Sequence, residues 1–274
     1  MAKSSAEVQR YYLEKTVPCE NAIASLQKHE EDMRETIKEG SPDSALQYLT
    51  LTEEMIFLTS NCLVLNGISC SMLKQRNEKA LNDARKSLYK AVIYLEKVVS
   101  PYVDVPFSDY EEKLTEIAEV SARKRYDLIR KMGLALQLLK DAFGDNSKWK
   151  WAFVELEGRF AAVAKNIMDL KTAVGKANDP YSSDYETIVL HLRLVKKLLL
   201  EAADHYREMY ELSTNRIDDF KMGMTFLAAL KRIHVIFWEQ EDAQTIKKKS
   251  EVWNSKLEND RKKQEEALKQ VQNG

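Results

Sequence analysis

ISCSMLKQRNEKALNDARKSLYKAVIYLEKVV, residues 68–99, decides the class of this chain. Within it Leu81, Ala84, Leu88, Ala91, Leu95 and Val98 recur at alternating steps of three and four. That spacing puts them on one face of a helix and the charged residues on the other. Read as one helix, Ile68 to Val99 would be about 48 Å long at 1.5 Å per residue. The segment before it starts at Pro42 and is unusually apolar through Leu65. Asn66-Gly67 either ends that segment or only weakens it, and an unbroken helix from Pro42 would be longer still.

Helical spacing extends in both directions. Upstream, Ser5 to about Glu39 reads as helix, with Pro18 expected to break or kink it near Thr16. Ala22, Ile23, Leu26, Met33 and Ile37 form its later stripe. Gly40 stands where a C′ glycine belongs, and Ser41-Pro42 reads as an N-cap followed by a first-turn proline. Downstream, Ser100-Pro101-Tyr102-Val103-Asp104-Val105-Pro106-Phe107 is the strongest break. Ser108-Asp109-Tyr110-Glu111 then reads as a capping box opening a helix to Phe143, jointed near Ser121. Gly144-Asp145-Asn146-Ser147 is a turn, and a helix is predicted from about Lys148 to Lys176. After Asn178-Asp179-Pro180-Tyr181, Ser183-Asp184-Tyr185-Glu186 repeats the capping box. Helix runs on to Leu212, turns at Ser213-Thr214-Asn215, and resumes to Trp238. The two boxes suggest reused capping chemistry or a diverged duplication, but no solenoid period survives over the chain.

From Glu239 the character changes. Lys247-Lys248-Lys249 and Arg261-Lys262-Lys263 alternate with acids, and Ile246, Val252, Trp253, Leu257, Leu268 and Val271 make a thin apolar stripe. The expected organisation is an N-terminal helical lobe at 1–100, a Pro-rich connector at 101–108, a second lobe at 109–238 and a charged C-terminal helix at 239–274. The fold class is all-α, an elongated or V-shaped bundle of seven or eight mostly long helices with no sheet.

Composition agrees. Only 8 Gly and 5 Pro occur in 274 residues, far below ordinary usage, so turns are few and elements long. With 44% hydrophobic and 31% charged residues there is material for a core. The 42 basic and 43 acidic residues leave a net charge of −1. Nucleic acid, which needs a basic excess or stripe, is not an expected partner. Cys19, Cys62 and Cys70 are too few and odd in number for a disulfide framework, and read as buried thiols. Met1 to Glu7 lacks the apolar run of a signal peptide. No window reads as membrane-spanning. Ile188 to Ala203 reads as the most apolar run, and His191, Arg193, Lys196, Lys197 and Glu201 interrupt it.

The motifs of chemistry are not found. A carboxylate-bridged di-iron bundle needs Glu-x-x-His, but Leu26, Ile188, Ala202 and Lys231 stand three before the four histidines. Cys62 and Cys70 are eight apart, which is no zinc spacing. No Gly-x-Ser-x-Gly elbow occurs, and Gly175-Lys176 lacks the earlier glycine of a phosphate loop. No catalytic, cofactor or metal residue is assigned. Glu201 and His205 read as a solvated pair. Arg123-Lys124-Arg125, Lys196-Lys197 and Lys247-Lys248-Lys249 sit among acids, so a membrane surface is an unfavoured partner.

Three apolar residues are singled out for partner binding. Trp149 and Phe153 share a helix face, so Trp151 points elsewhere, onto a second buried face or into the open as an interface anchor. Trp253, with Leu257 one turn on, stands on an otherwise polar helix as a docking pair or as core.

The long-helix layout, the Pro-Tyr-Val-Asp-Val-Pro-Phe connector at 101–107 and the Trp149-Lys150-Trp151 block together resemble the spirochaete flagellar-coiling proteins. The resemblance implies an all-helical, non-enzymatic periplasmic component of the flagellar filament sheath, whose partners are filament core or sheath subunits; self-association is a separate expectation of the long-helix reading. It transfers no site residues. A periplasmic address would require a leader already removed; otherwise the address is cytoplasmic. The alternative readings are a cytoplasmic adaptor binding a protein through its C-terminal helix and, third, a membrane-surface helical module.

Overall fold

The computed structural model describes residues 5–41, 43–145 and 147–272. Among these the chain is all-α, with ten α-helices and no strand. They are α1 (Ser5–Thr36), α2 (Ser44–Leu73), α3 (Glu78–Val98), α4 (Glu111–Thr115), α5 (Ala122–Phe143), α6 (Lys150–Asn166), α7 (Leu170–Ala177), α8 (Tyr185–Met209), α9 (Ile217–Ile236) and α10 (Gln240–Gln272). The count exceeds the expected seven or eight because several long periodic runs are cut by short caps.

The first cut falls inside the deciding stretch. Lys74 takes a left-handed φ of 56° and ends α2. Asn77 caps α3, its side chain accepting from the Ala80 N–H at 3.0 Å. The buried Asn66 accepts from the Asn77 N–H at 2.9 Å. So Asn66-Gly67 does not end the helix; Asn66 holds the turn that follows it. The expected 48 Å rod is therefore a helix of about 31 Å. The predicted stripe is its buried face, with Leu81, Ala84, Leu88, Ala91, Leu95 and Val98 all in the core.

Other boundaries are also corrected. The helix α1 runs through Pro18 without a break; the proline forfeits one backbone bond while the rest of the ladder holds. Helix α2 begins at Ser44 with Asp43 before it, two residues after Pro42, which lies outside the described residues, as does Asn146. Neither capping box forms. Ser108 donates to Asp109 in a 3₁₀ turn (Phe107–Asp109), and Asp184 precedes α8 without a side-chain cap. Instead Ser121 caps α5 through the Lys124 N–H, and Arg125 braces the preceding turn by donating to the Val120 and Ile117 carbonyls. The predicted 148–176 helix is divided at 167–169, where Asp169 accepts from the Lys171 and Thr172 N–H groups. After α8 a π-helical turn (Tyr210–Thr214) closes on left-handed Asn215. Helix α9 ends at Ile236, and left-handed Trp238 makes the turn into α10.

The chain divides into two compact units, one of Met1–Ser100 with Tyr110–Lys150 and one of Pro101–Asp109 with Trp151–Gly274. The expected lobes are thus cut differently. In the first unit α1 packs on α2, α2 on α3, and α5 against both α2 and α3. In the second, α8 and α10 flank α9, and α7 leans on α8. The expected connector belongs to the second unit: Val103 is buried, the Asn166 amide donates to the Tyr102 carbonyl at 2.9 Å, and Arg232 pairs with Asp104 at 2.9 Å. The charged C-terminal helix packs there too, burying Ala243, Ile246 and Trp253.

Candidate functional site

The first unit carries an open, uncharged helix face. Between Met55 and Leu73, α2 has no Asp, Glu, Lys or Arg. In a chain with 31% charged residues, such a run normally lies in a core. Yet Thr50, Glu53, Phe57, Ser60, Val64, Gly67 and Ser71 are all exposed. Their steps of three and four describe one outward seam of heptad spacing. Phe57 is 57% and Val64 50% exposed. Scattered exposed apolar residues are ordinary; two of them on a seam that carries no charge from Phe57 to Ser71 mark an interaction surface.

Helix α1 lies antiparallel beside it. Tyr12 and Ser69 hydroxyls meet at 2.9 Å, and His29 Nδ1 lies 2.9 Å from Glu54 Oε2. This register sets Leu13 and Val17, also exposed, level with the Val64–Ser71 end of the seam. Helix α2 is also long and apolar enough to cross a membrane, although 39% of its most apolar window is buried within the protein. This corrects the expectation that no such window exists: the uncharged stretch lies in α2, not at Ile188–Ala203. Below the seam, burial pushes the Cys62 thiol up to about 12, so it is an inert packing group.

The singled-out residues lie elsewhere. Trp253 is 2% exposed, inside the second unit. Its ring is 5.7 Å from that of Phe220, its edge meets Gly223, and Arg207 and Lys249 lie over it at 5.1 Å each. Docking through Trp253 presumed an open indole, and the indole is closed. Leu257 and Trp151 are half-buried. Trp149, in the first unit, lies under the Arg85 guanidinium at 3.9 Å.

Two polar clusters were not legible as sites. Lys165 is 3% exposed and donates to Asn166 Oδ1 at 2.8 Å. Burial pushes its ammonium down to about 8, with Arg232 adding to the push and Asp104 opposing it. A buried amine near neutrality has the basicity of a nucleophile or general base. Here it is one member of a buried network that reaches Asn166 and the Tyr102 carbonyl. A Lys-Asn pair inside the apolar run 160–168 was its only signal.

The second cluster wraps the α9–α10 turn. His234, Glu239 and Asp242 bring ligand atoms within 4.8 Å of one another, the chemistry of a divalent-cation site. His234 Nδ1 lies 2.7 Å from Glu239. Both Glu239 oxygens also accept from Lys196. Burial works to raise the Glu239 carboxyl, but the Lys196 and His234 hydrogen bonds outweigh it and hold the group below its ordinary range. The ammonium supplies the positive charge a metal would bring, so the cluster works as a clasp between helices. The sequence pattern places His234 in an apolar stripe, and the partners come from across the turn.

The model of the TP0443 family matches residues 8–261, and the chain belongs to that family, which carries a Treponema name. No curated protein and no solved structure matches.

Proposed function

We propose that this member of the TP0443 family is a non-enzymatic assembly protein that works by presenting helix faces to other proteins. The open seam of α2 carries this reading: a stretch uncharged from Phe57 to Ser71, with Phe57 and Val64 in water, has no account within the folded chain. Covering it removes apolar surface from water, which favours association by about 25 cal/mol per Å².

For its setting we propose the periplasmic flagellar filament sheath of a spirochaete. The resemblance drawn from the long-helix layout supports that setting, and so does the Treponema name of the family. The partners are then filament core or sheath subunits. The C-terminal helix offers no open indole for docking, because Trp253 is packed inside.

Co-sedimentation with purified periplasmic filaments tests both parts. The native protein should pellet with filaments, and a Phe57→Lys/Val64→Lys variant of unchanged helicity should stay in the supernatant. Failure of the native protein to pellet removes the setting. Pelleting that the double variant does not alter removes the seam as the docking surface.

A further inference from the structure

The occupant of the seam can be read from the seam itself. It alternates large and small residues and ends in opposite charges. Phe57 and Val64 are its two large side chains. Ser60, Gly67 and Ser71 are its small ones, and a Cβ built on Gly67 meets nothing within 4 Å. Glu53 stands near the start of the seam, while Lys74 follows its last turn; both are exposed.

We propose that a second copy of this chain docks here, α2 against α2, antiparallel about a two-fold axis at the level of residue 62. This rests on the seam being an assembly surface. Antiparallel helices pair the two heptad core positions across the interface. In this register Phe57 faces Gly67 of the second copy, and Val64 faces Ser60. Each large residue enters a gap left by a small one, twice over by symmetry. The same register puts Thr50 beside Lys74 of the second copy and Glu53 one layer away, so opposite charges meet at both ends. A parallel pairing would set Phe57 on Phe57 and Glu53 on Glu53. A bilayer would gain little from Ser60, Gly67 and Ser71, whereas small residues are what close helix approach requires.

The seam is about 32 Å long and one helix wide, roughly 300 Å² a side. That remains below the roughly 800 Å² per partner of a stable complex, so the pairing is concentration-dependent.

Sedimentation velocity on the full chain, from about 1 µM to about 200 µM, tests this. The native protein should shift toward dimer across that range. Gly67→Leu fills the gap on an open face and should keep the fold while abolishing dimer. Glu53→Lys and Lys74→Glu should each weaken association about tenfold, and Glu53→Lys/Lys74→Glu should restore it. A native monomer at every concentration overturns the proposal, as does a dimer that ignores Gly67→Leu and the charge exchange. If the native protein stays monomeric yet pellets with filaments in a seam-dependent way, homotypic pairing is overturned while the assembly reading stands. Flotation with phosphatidylcholine vesicles that Gly67→Leu strengthens also overturns it, assigning the seam to lipid.

Discussion

At the scale of single residues, close packing in the second unit turns on glycine. A Cβ on Gly223 would lie 2.9 Å from the Ala203 carbonyl oxygen and 3.4 Å from the Trp253 ring. Backbone cannot yield as a flexible side chain can, so Gly223→Ala should lower stability by about 1–3 kcal/mol. Trp253→Ala should lose about 3–5 kcal/mol, because it empties the space that Phe220 and Gly223 enclose. Thermal denaturation followed by circular dichroism measures both, and a Trp253 variant of unchanged melting temperature would return that indole to the surface. Lys165 makes a pH-dependent prediction. Its folded pKa of about 8 lies below the ordinary 10.5, so between those values the unfolded chain binds more protons. Stability then rises with pH across that window, and the full penalty, about 3 kcal/mol, applies below pH 8. Lys165→Met should therefore raise the melting temperature at pH 7 by several degrees, and the gain should shrink by pH 10. A gain independent of pH would show that the ammonium carries no such penalty.

Elements were legible where periodicity speaks and hidden where one side chain does. The alternation from Leu81 to Val98 states both the helix and its buried face. The cut at 74–77 leaves only a faint mark on that pattern: the same steps counted back from Leu81 fall on Asn77 and Lys74, two polar residues on the apolar stripe. A long helix tolerates two such residues, so it is the pairing of Asn66 with Asn77, eleven residues apart, that turns them into a cut, and that is a tertiary fact. Asp169 hides the α6–α7 cut in the same way. Pro18 is the converse, a strong local signal overridden by the packing of α1 on α2. The seam was half legible: the uncharged run from Met55 to Leu73 stands in the sequence, but which of its residues face outward depends on where α1, α3 and α5 pack. Asn77→Ala should remove the α3 cap at a cost of about 1 kcal/mol. It should also speed amide exchange in the first turn of α3 more than in its centre, as hydrogen-exchange mass spectrometry would resolve. Uniform exchange would mean that the cap is dispensable.

At the scale of the whole chain, the division into units follows from which helices share a core rather than from where prolines fall. The two prolines at 101 and 106 mark the strongest break in the sequence, and a cut there would be expected to release a folded lobe of residues 1–100. But α5 supplies Leu128, Ile129, Met132, Leu136 and Leu139 to the interior of the first unit, and it packs on α2 and α3. Removing it uncovers those helices, and marginal stability does not survive the loss of a whole core-facing helix. A fragment of residues 1–150 restores α4 and α5, carrying residues 101–109 as an unsupported loop whose closure costs little. That fragment should unfold cooperatively on heating, whereas residues 1–100 alone should melt without a sharp transition and aggregate. Cooperative unfolding of 1–100 would instead make the proline-rich stretch the true boundary and α5 an accessory to it.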